Sequence, residues 1–283
     1  MEREEFLKVI LKEVGSTVLK KKNKSSTYSY DKGLLAESDL IAHEIFKNGI
    51  SKHFPEDFIF TEEDDIDIKN LTVENEFLWI IDPICGTTNY LYDFPLYSHS
   101  ATILQNEALY AAGVLDPVRQ ELFFSFKNRF YVNDKQFSLT RAIPIEEALI
   151  SINTNQSNFD DEEYSLKKII NKLSPPVCRR NRIIESANLE LAYVACGRID
   201  AYYNPMDKPW DIAAAQILIP SAGGAVHVIH NSDSSIFNQT GIAAASSEEL
   251  LKEILNSSKL FLKISGSSKI RLIEIVLFMI FPF

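Results

Sequence analysis

A run of five apolar residues, Phe77-Leu78-Trp79-Ile80-Ile81, ends abruptly on Asp82-Pro83-Ile84-Cys85-Gly86-Thr87-Thr88-Asn89. A second, Phe58-Ile59-Phe60, ends on Thr61-Glu62-Glu63-Asp64-Asp65. Runs this short, rich in aromatic and β-branched residues, are strands. Strands that stop on carboxylates deliver ligands at their ends.

The rest of the pattern alternates helix and strand without strict order. Glu4 to Leu19 carries Phe6, Val9, Ile10 and Val14 at helical spacing, and Glu37 to Ile50 repeats the pattern. The polar, Ser-rich stretch 20–33 between them reads as a loop. Strands are expected at His99–Leu104, Leu109–Leu115, Glu121–Phe126, Asp200–Tyr203, Val226–Ile229 and Ile242–Ala245. Helices are expected at Asp161–Leu173, Ser186–Cys196, Trp210–Pro220 and Glu248–Leu255. Such a mixture predicts a layered α/β (mixed α+β) fold rather than a doubly wound sheet. One domain of two packed lobes is expected over 1–258, followed by an apolar tail, 259–283. The apolar run of that tail is shorter than the ~20 residues a spanning helix needs, so no stable membrane span is expected. A packed strand, a surface-associating end and a disordered extension remain open for it.

Charge narrows the partners. Lys plus Arg total 29 against 39 Asp plus Glu, a net charge of -10. A surface of that sign lacks the basic footprint of nucleic-acid binding, and an acidic protein that handles a phosphate ester needs cations to offset the repulsion. Three cysteines without paired spacing argue against a disulfide framework or a thiolate zinc cage. The charged, helical start carries no apolar leader core, which points to the cytoplasm.

Three acidic elements carry chemistry: Glu62 in its cluster, Asp82 before the Gly86-Thr87-Thr88 turn, and Asp211 after Pro209-Trp210. Oxygen ligands gathered from separate strand and helix ends suit magnesium, a hard ion. The glycine turn offers backbone N–H groups to a phosphate. Taken singly, each has a plain structural reading. An acidic loop is solvated, Asp82 before a proline opens a turn, and Asp211 caps a helix. Their joint occurrence in this order carries the argument.

That order resembles a known family. Trp79-Ile-Ile-Asp-Pro-Ile-Cys-Gly-Thr-Thr-Asn-Tyr90 is similar to the inositol monophosphatase signature, a Trp and two branched residues leading into Asp-Pro-Ile-Asp-Gly-Thr-x-Asn. Trp210-Asp211-Ile-Ala-Ala214 with Ala222-Gly-Gly224 resembles its second signature. Glu62-Glu63, the segment Gly33–Asp39 and Ser186-Ala187 match further family elements. Together these cover roughly residues 4 to 256. The resemblance implies the αβαβα sandwich of the inositol monophosphatase and fructose-1,6-bisphosphatase type. It also implies a homodimer, magnesium (with manganese as a substitute) and inhibition by lithium.

Carried over by position, Glu62, Asp82 and the Ile84 carbonyl would hold one magnesium, and Asp82, Cys85 and Asp211 a second. Asp39 and Thr87 would activate water. The Gly86 and Thr87 amides, with Ser186, Ala187 and Asn204, would face the phosphate ester. The departures matter as much. Cys85 stands where the family has an aspartate, and magnesium has little affinity for sulfur. Asn204 replaces a substrate-reading glutamate, Ser221 a glutamate, Thr61 a glycine, and Ala36 a threonine. Cys85→Asp is expected to raise activity or to lower the magnesium requirement. The implied activity is hydrolysis of inositol monophosphate or a related small sugar phosphate. The alternative is a weak or dead relative that keeps the fold for binding or regulation.

Overall fold

The computed structural model describes residues 1–22, 37–64, 75–153, 166–230 and 236–258. Five layers stack in the order helix, sheet, helix, sheet, helix. The first holds α1 (Arg3–Lys22) and α2 (Glu37–His53). They bury Phe6, Leu7, Ile10, Leu11 and Phe46 against Trp79, Ile81, Ala101 and Leu115 of the first sheet. Contact is so close that a Cβ on Gly113 would lie 2.6 Å from Leu11 Cδ1.

The first sheet runs β1 (Phe58–Thr61), β2 (Phe77–Cys85), β3 (Ser98–Gln105), β4 (Ala108–Asp116), β5 (Glu121–Phe126), β6 (Arg129–Val132) and β7 (Lys135–Phe137), side by side in chain order. Every pairing is antiparallel except β1 with β2. β6 and β7 are not legible as apolar runs. Turn chemistry places them instead: Lys127 and Asn128 both take positive φ (51° and 56°), which suits a tight hairpin whose turn matches strand twist.

Behind this sheet lie α5 (Ala187–Ala195) and α7 (Ala215–Ala222), and behind them the second sheet. Its order is β11 (Ala225–His230), β12 (Gln239–Ala245), β10 (Ala201–Asn204), β8 (Leu149–Ile152) and β9 (Arg180–Arg182). The period-two alternation of a strand is explicit on β10. Tyr202 points into the middle layer with Leu189, Leu218 and Val114, while Ala201 and Tyr203 face the outer cluster of Ile150, Ile169, Leu250 and Ile254. That outer cluster is closed by α4 (Leu166–Leu173) and α8 (Glu248–Ser258).

Two expectations change. The helix expected over Trp210–Pro220 is two, α6 (Pro209–Ile212) and α7, because the turn at Ala213-Ala214 tightens to three-residue hydrogen bonds. The chain at Arg180–Arg182, where no strand is expected, contributes an edge strand with Arg180 and Arg182 exposed, a common protection of sheet edges. Gly33–Ala36, Asp65, the first part of the helix expected at 161–173 and the apolar tail lie outside the described residues. No helix among the described residues is long and apolar enough to cross a membrane.

Candidate active site

Parallel strands end at the same edge, so the β1–β2 pair decides the site. The register sets Thr61 opposite Ile81, and Glu62 continues the ladder by donating its N–H to the Ile81 carbonyl at 3.2 Å. Glu62 and Asp82 therefore leave the sheet together. Beyond Asp82 the pairing with β3 slips, Asp82 facing Ser100 and Cys85 facing Ser98. This irregularity at Pro83-Ile84 turns the chain out of the ladder, as bulges beside active sites do. Gly86 then takes φ 92° and starts the short helix α3 (Thr87–Leu91). A side chain there would meet Ser186 Cβ at 3.0 Å and two carbonyl oxygens at 3.2 Å, so both conformation and space require glycine.

Thr87 Oγ1 lies 3.3 Å from Asp39 Oδ1 on buried α2 and 3.1 Å from the Ile84 carbonyl. The dyad expected from sequence is brought together. Asp211, on the first turn of α6, accepts the Lys208 N–H at 2.9 Å and faces the same place. Asp82, Cys85 and Asp211 each offer a ligand atom, and these three atoms lie within 4.8 Å of one another.

The electrostatics show what is missing. Burial, reinforced by the neighbouring charge of Asp211, holds the Asp82 carboxyl well above its ordinary pKa. Burial pushes Asp211 up to about 6. Glu62 keeps one flank open to solvent, but protein crowds its carboxyl, and Asp82, Asp211, Glu63 and Asp39 add to the upward shift. The buried Oδ1 of Asp82 has no hydrogen-bond donor among the described residues. Repelling carboxylates with an unpartnered oxygen suit a hard divalent cation, for which Glu62, Asp82 and the Ile84 carbonyl would supply the oxygens at the first position. The second position does not fit one. Cys85 is buried, and that burial raises its thiol pKa, with Asp82 and Asp211 adding to the effect, so it offers a neutral sulfur rather than an anionic oxygen.

Not every expected residue points into this space. Ser186 is fully buried and donates its hydroxyl to the Cys85 carbonyl at 2.9 Å. Ala187 opens α5 beside it. Asn204 turns inward: its amide donates to Asp207, and its Oδ1 accepts the Met206 N–H at 3.0 Å, so both ends are used by the turn that follows β10. Sequence reasoning missed Asn188, whose side-chain amide donates to Asp82 Oδ2 at 3.0 Å and to the Trp210 carbonyl at 3.1 Å. Its signal was there. Asn188 and Glu190 are polar residues on a helix in which every position is buried.

The inositol monophosphatase family pattern matches residues 3–260. The chain belongs to the inositol monophosphatase family. An inositol monophosphatase from Dictyostelium discoideum is 34% identical over 223 residues, 77% of this chain and 81% of that protein. A protein named Nus factor SuhB from Xylella fastidiosa is 29% identical over 210 residues, 73% of each. The solved IMPase of Thermotoga maritima superposes with a TM-score of 0.76 at 25% identity, covering 92% of this chain and 100% of its own. Membership makes the protein a phosphoric monoester hydrolase with the family's layered fold.

Proposed function

We propose that the protein hydrolyses inositol monophosphate or a closely related small sugar phosphate, giving the alcohol and inorganic phosphate, with magnesium at Glu62, Asp82 and the Ile84 carbonyl. The observation that carries this is the Thr87 hydroxyl, within 3.3 Å of the Asp39 carboxylate and 3.1 Å of the Ile84 carbonyl, beside the carboxylates and at the start of the Gly86 turn. Thr87 orients the attacking water, and Asp39 takes up its proton through Thr87. The Gly86 and Thr87 amides receive the phosphate oxygens. Bound magnesium supplies Lewis-acid stabilisation of the phosphoryl charge. Asp39 is buried, whereas Thr87 is partly exposed.

Manganese as a substitute, lithium inhibition and a homodimer rest on the resemblance and belong to the same proposal, and a cytoplasmic setting goes with them. The net charge of -10 argues against nucleic acid as partner, although several relatives are named Nus factors. A second reading, a binding protein without turnover, is favoured by one observation, the sulfur of Cys85 at a ligand position. Phosphate release from inositol 1-phosphate, titrated with magnesium, separates the two. Saturable release supports the enzyme; no release at any magnesium or manganese concentration supports the binding protein.

A further inference from the structure

Asn188 has a part in this site that neither sequence motif accounts for. It sits in the first turn of α5 with 1% exposure. Its amide nitrogen donates to Asp82 Oδ2 at 3.0 Å and to the Trp210 carbonyl at 3.1 Å, while its backbone N–H donates to Cys85 Sγ at 3.3 Å. Those three bonds join the segments that would surround a second cation: the end of β2, the slipped turn beyond it, and the start of α6, where Asp211 follows Trp210. We propose that the Asn188 amide stands in for the second cation, so that the chain binds a single divalent ion and is closed to another. This rests on the phosphatase reading above and deepens it.

A cation between two carboxylate-bearing segments holds them by positive charge. An amide NH2 holds them by two polarised N–H bonds, and Asn188 uses both. Magnesium takes oxygen ligands, waters included, at 2.0–2.1 Å in near-octahedral array. At this position it would meet a soft sulfur at 85 and a hydrogen-bond donor at 188. Both changes reject a hard cation, and they touch each other. Asp82 Oδ2 is committed to Asn188, which leaves Oδ1, without a donor among the described residues, for the one remaining ion. The rival role for Asn188 is as a ligand through its Oδ1, which is also buried without a donor among the described residues. Turning that oxygen inward would set it against the Asp82 carboxylate and the Trp210 carbonyl, a repulsive arrangement that only a bound ion could stabilise.

Counting ions tests this without reference to turnover. The full chain is titrated with Mn2+, and the free ion is read by electron paramagnetic resonance. The parent is expected to bind one Mn2+ per chain. Cys85→Asp alone should still bind one, because the amide remains in place. Cys85→Asp with Asn188→Ala should bind two. Two ions in the parent, two in Cys85→Asp alone, or one in the double variant each overturn the proposal. So does a weaker first ion in Asn188→Ala, which would make Asn188 a ligand. The parent count needs no variant, so it stands even if a substitution misfolds. A parent that binds no ion at all sinks the phosphatase reading instead, and the two failures are distinct.

Discussion

Among the described residues, two groups of buried or half-buried carboxylates differ in how they are satisfied. One is Asp82 with Asp211 at the end of the first sheet. The other is Glu190 with Asp207, between the middle helices and the second sheet. Burial raises the pKa of every member: Asp211 to about 6 and Glu190 to about 7, with Asp82 and Asp207 held well above the ordinary range. The shifts alone therefore do not distinguish a site from a structural knot. The donors do. Glu190 receives Ser151 Oγ, Asn153 Nδ2 and the Ser186 N–H, and Asp207 receives Asn204 Nδ2 and Tyr202 OH. Both Glu190 oxygens and both Asp207 oxygens have partners. Asp82 keeps one buried oxygen with none among the described residues. A carboxylate completed by its own fold is a fixture of the structure, whereas one left incomplete is shaped for a ligand.

The largest effect that can break this comparison is at Asp82. Asp82→Asn should lower phosphate release by roughly 10^3-fold or more, since it removes the anionic ligand the ion needs. It should also abolish the stabilisation that magnesium gives the parent, about 2.7 kcal/mol at a hundredfold excess over Kd and read as an upward shift in Tm. Glu190→Gln should keep that shift. Melting curves with and without magnesium decide the matter. If the Asp82 variant is still stabilised by magnesium while the Glu190 variant is not, the assignment of the two groups is reversed.

A smaller effect sharpens it. The Glu190 carboxyl is raised to about 7, so the folded chain holds a proton that the unfolded chain releases near 4.5. Stability from this group is complete below pH 4.5 and is lost as pH rises through about 7. The loss is on the order of a few kcal/mol, because each pKa unit is about 1.4 kcal/mol. Glu190→Gln removes it at little structural cost. Ser151 faces Oε1 and its hydroxyl can accept from an amide nitrogen placed there, while the other oxygen still receives Asn153 and Ser186. Asp82, Asp211 and Glu62 are shifted in the same direction and add to the same slope. Urea unfolding between about pH 4.5 and 7.5 should therefore give a slope with two separable parts. Magnesium flattens the part due to the site, and Glu190→Gln flattens the rest. A profile for the Glu190→Gln variant as steep as the parent's would mean that Glu190 is not protonated in the fold.

The sequence makes half of this visible, for a physical reason. Strand ends on carboxylates are local patterns, so Glu62, Asp82 and Asp211 could be picked out, and the parallel β1–β2 pair then set the first two side by side. Family resemblance supplied Asp39 and Thr87, which the structure brings to 3.3 Å. Asn188 escaped because its partners are 106 and 22 residues away, and nothing in Ala187-Asn188-Leu189 shows which way an amide points. Asn204 misled for the same reason. It occupies the expected position, but Asp207 three residues on captures its amide, a local contact that the position of a family residue does not reveal. Short strands such as Arg129–Val132 and Arg180–Arg182 were hidden too. They lie toward or at the sheet edges, where few side chains need to be apolar.

The smallest effect concerns Ser186, the residue that joins the two carboxylate groups. Its backbone N–H donates to Glu190 at 3.1 Å, and its hydroxyl donates to the Cys85 carbonyl at 2.9 Å. Only the second bond is lost in Ser186→Ala, and the Cβ that packs against Gly86 remains. One neutral hydrogen bond contributes about 1 kcal/mol, so the variant should lose about that much stability and keep its pH slope. Because the lost bond holds the backbone just before the Gly86 turn, the phosphate-receiving amides should loosen. KM for inositol 1-phosphate should then rise a few-fold while kcat changes less, since Thr87 and Asp39 stay in place. A fall in kcat with KM unchanged would instead place the Ser186 hydroxyl in direct contact with the reacting phosphate, which its inward hydrogen bond argues against.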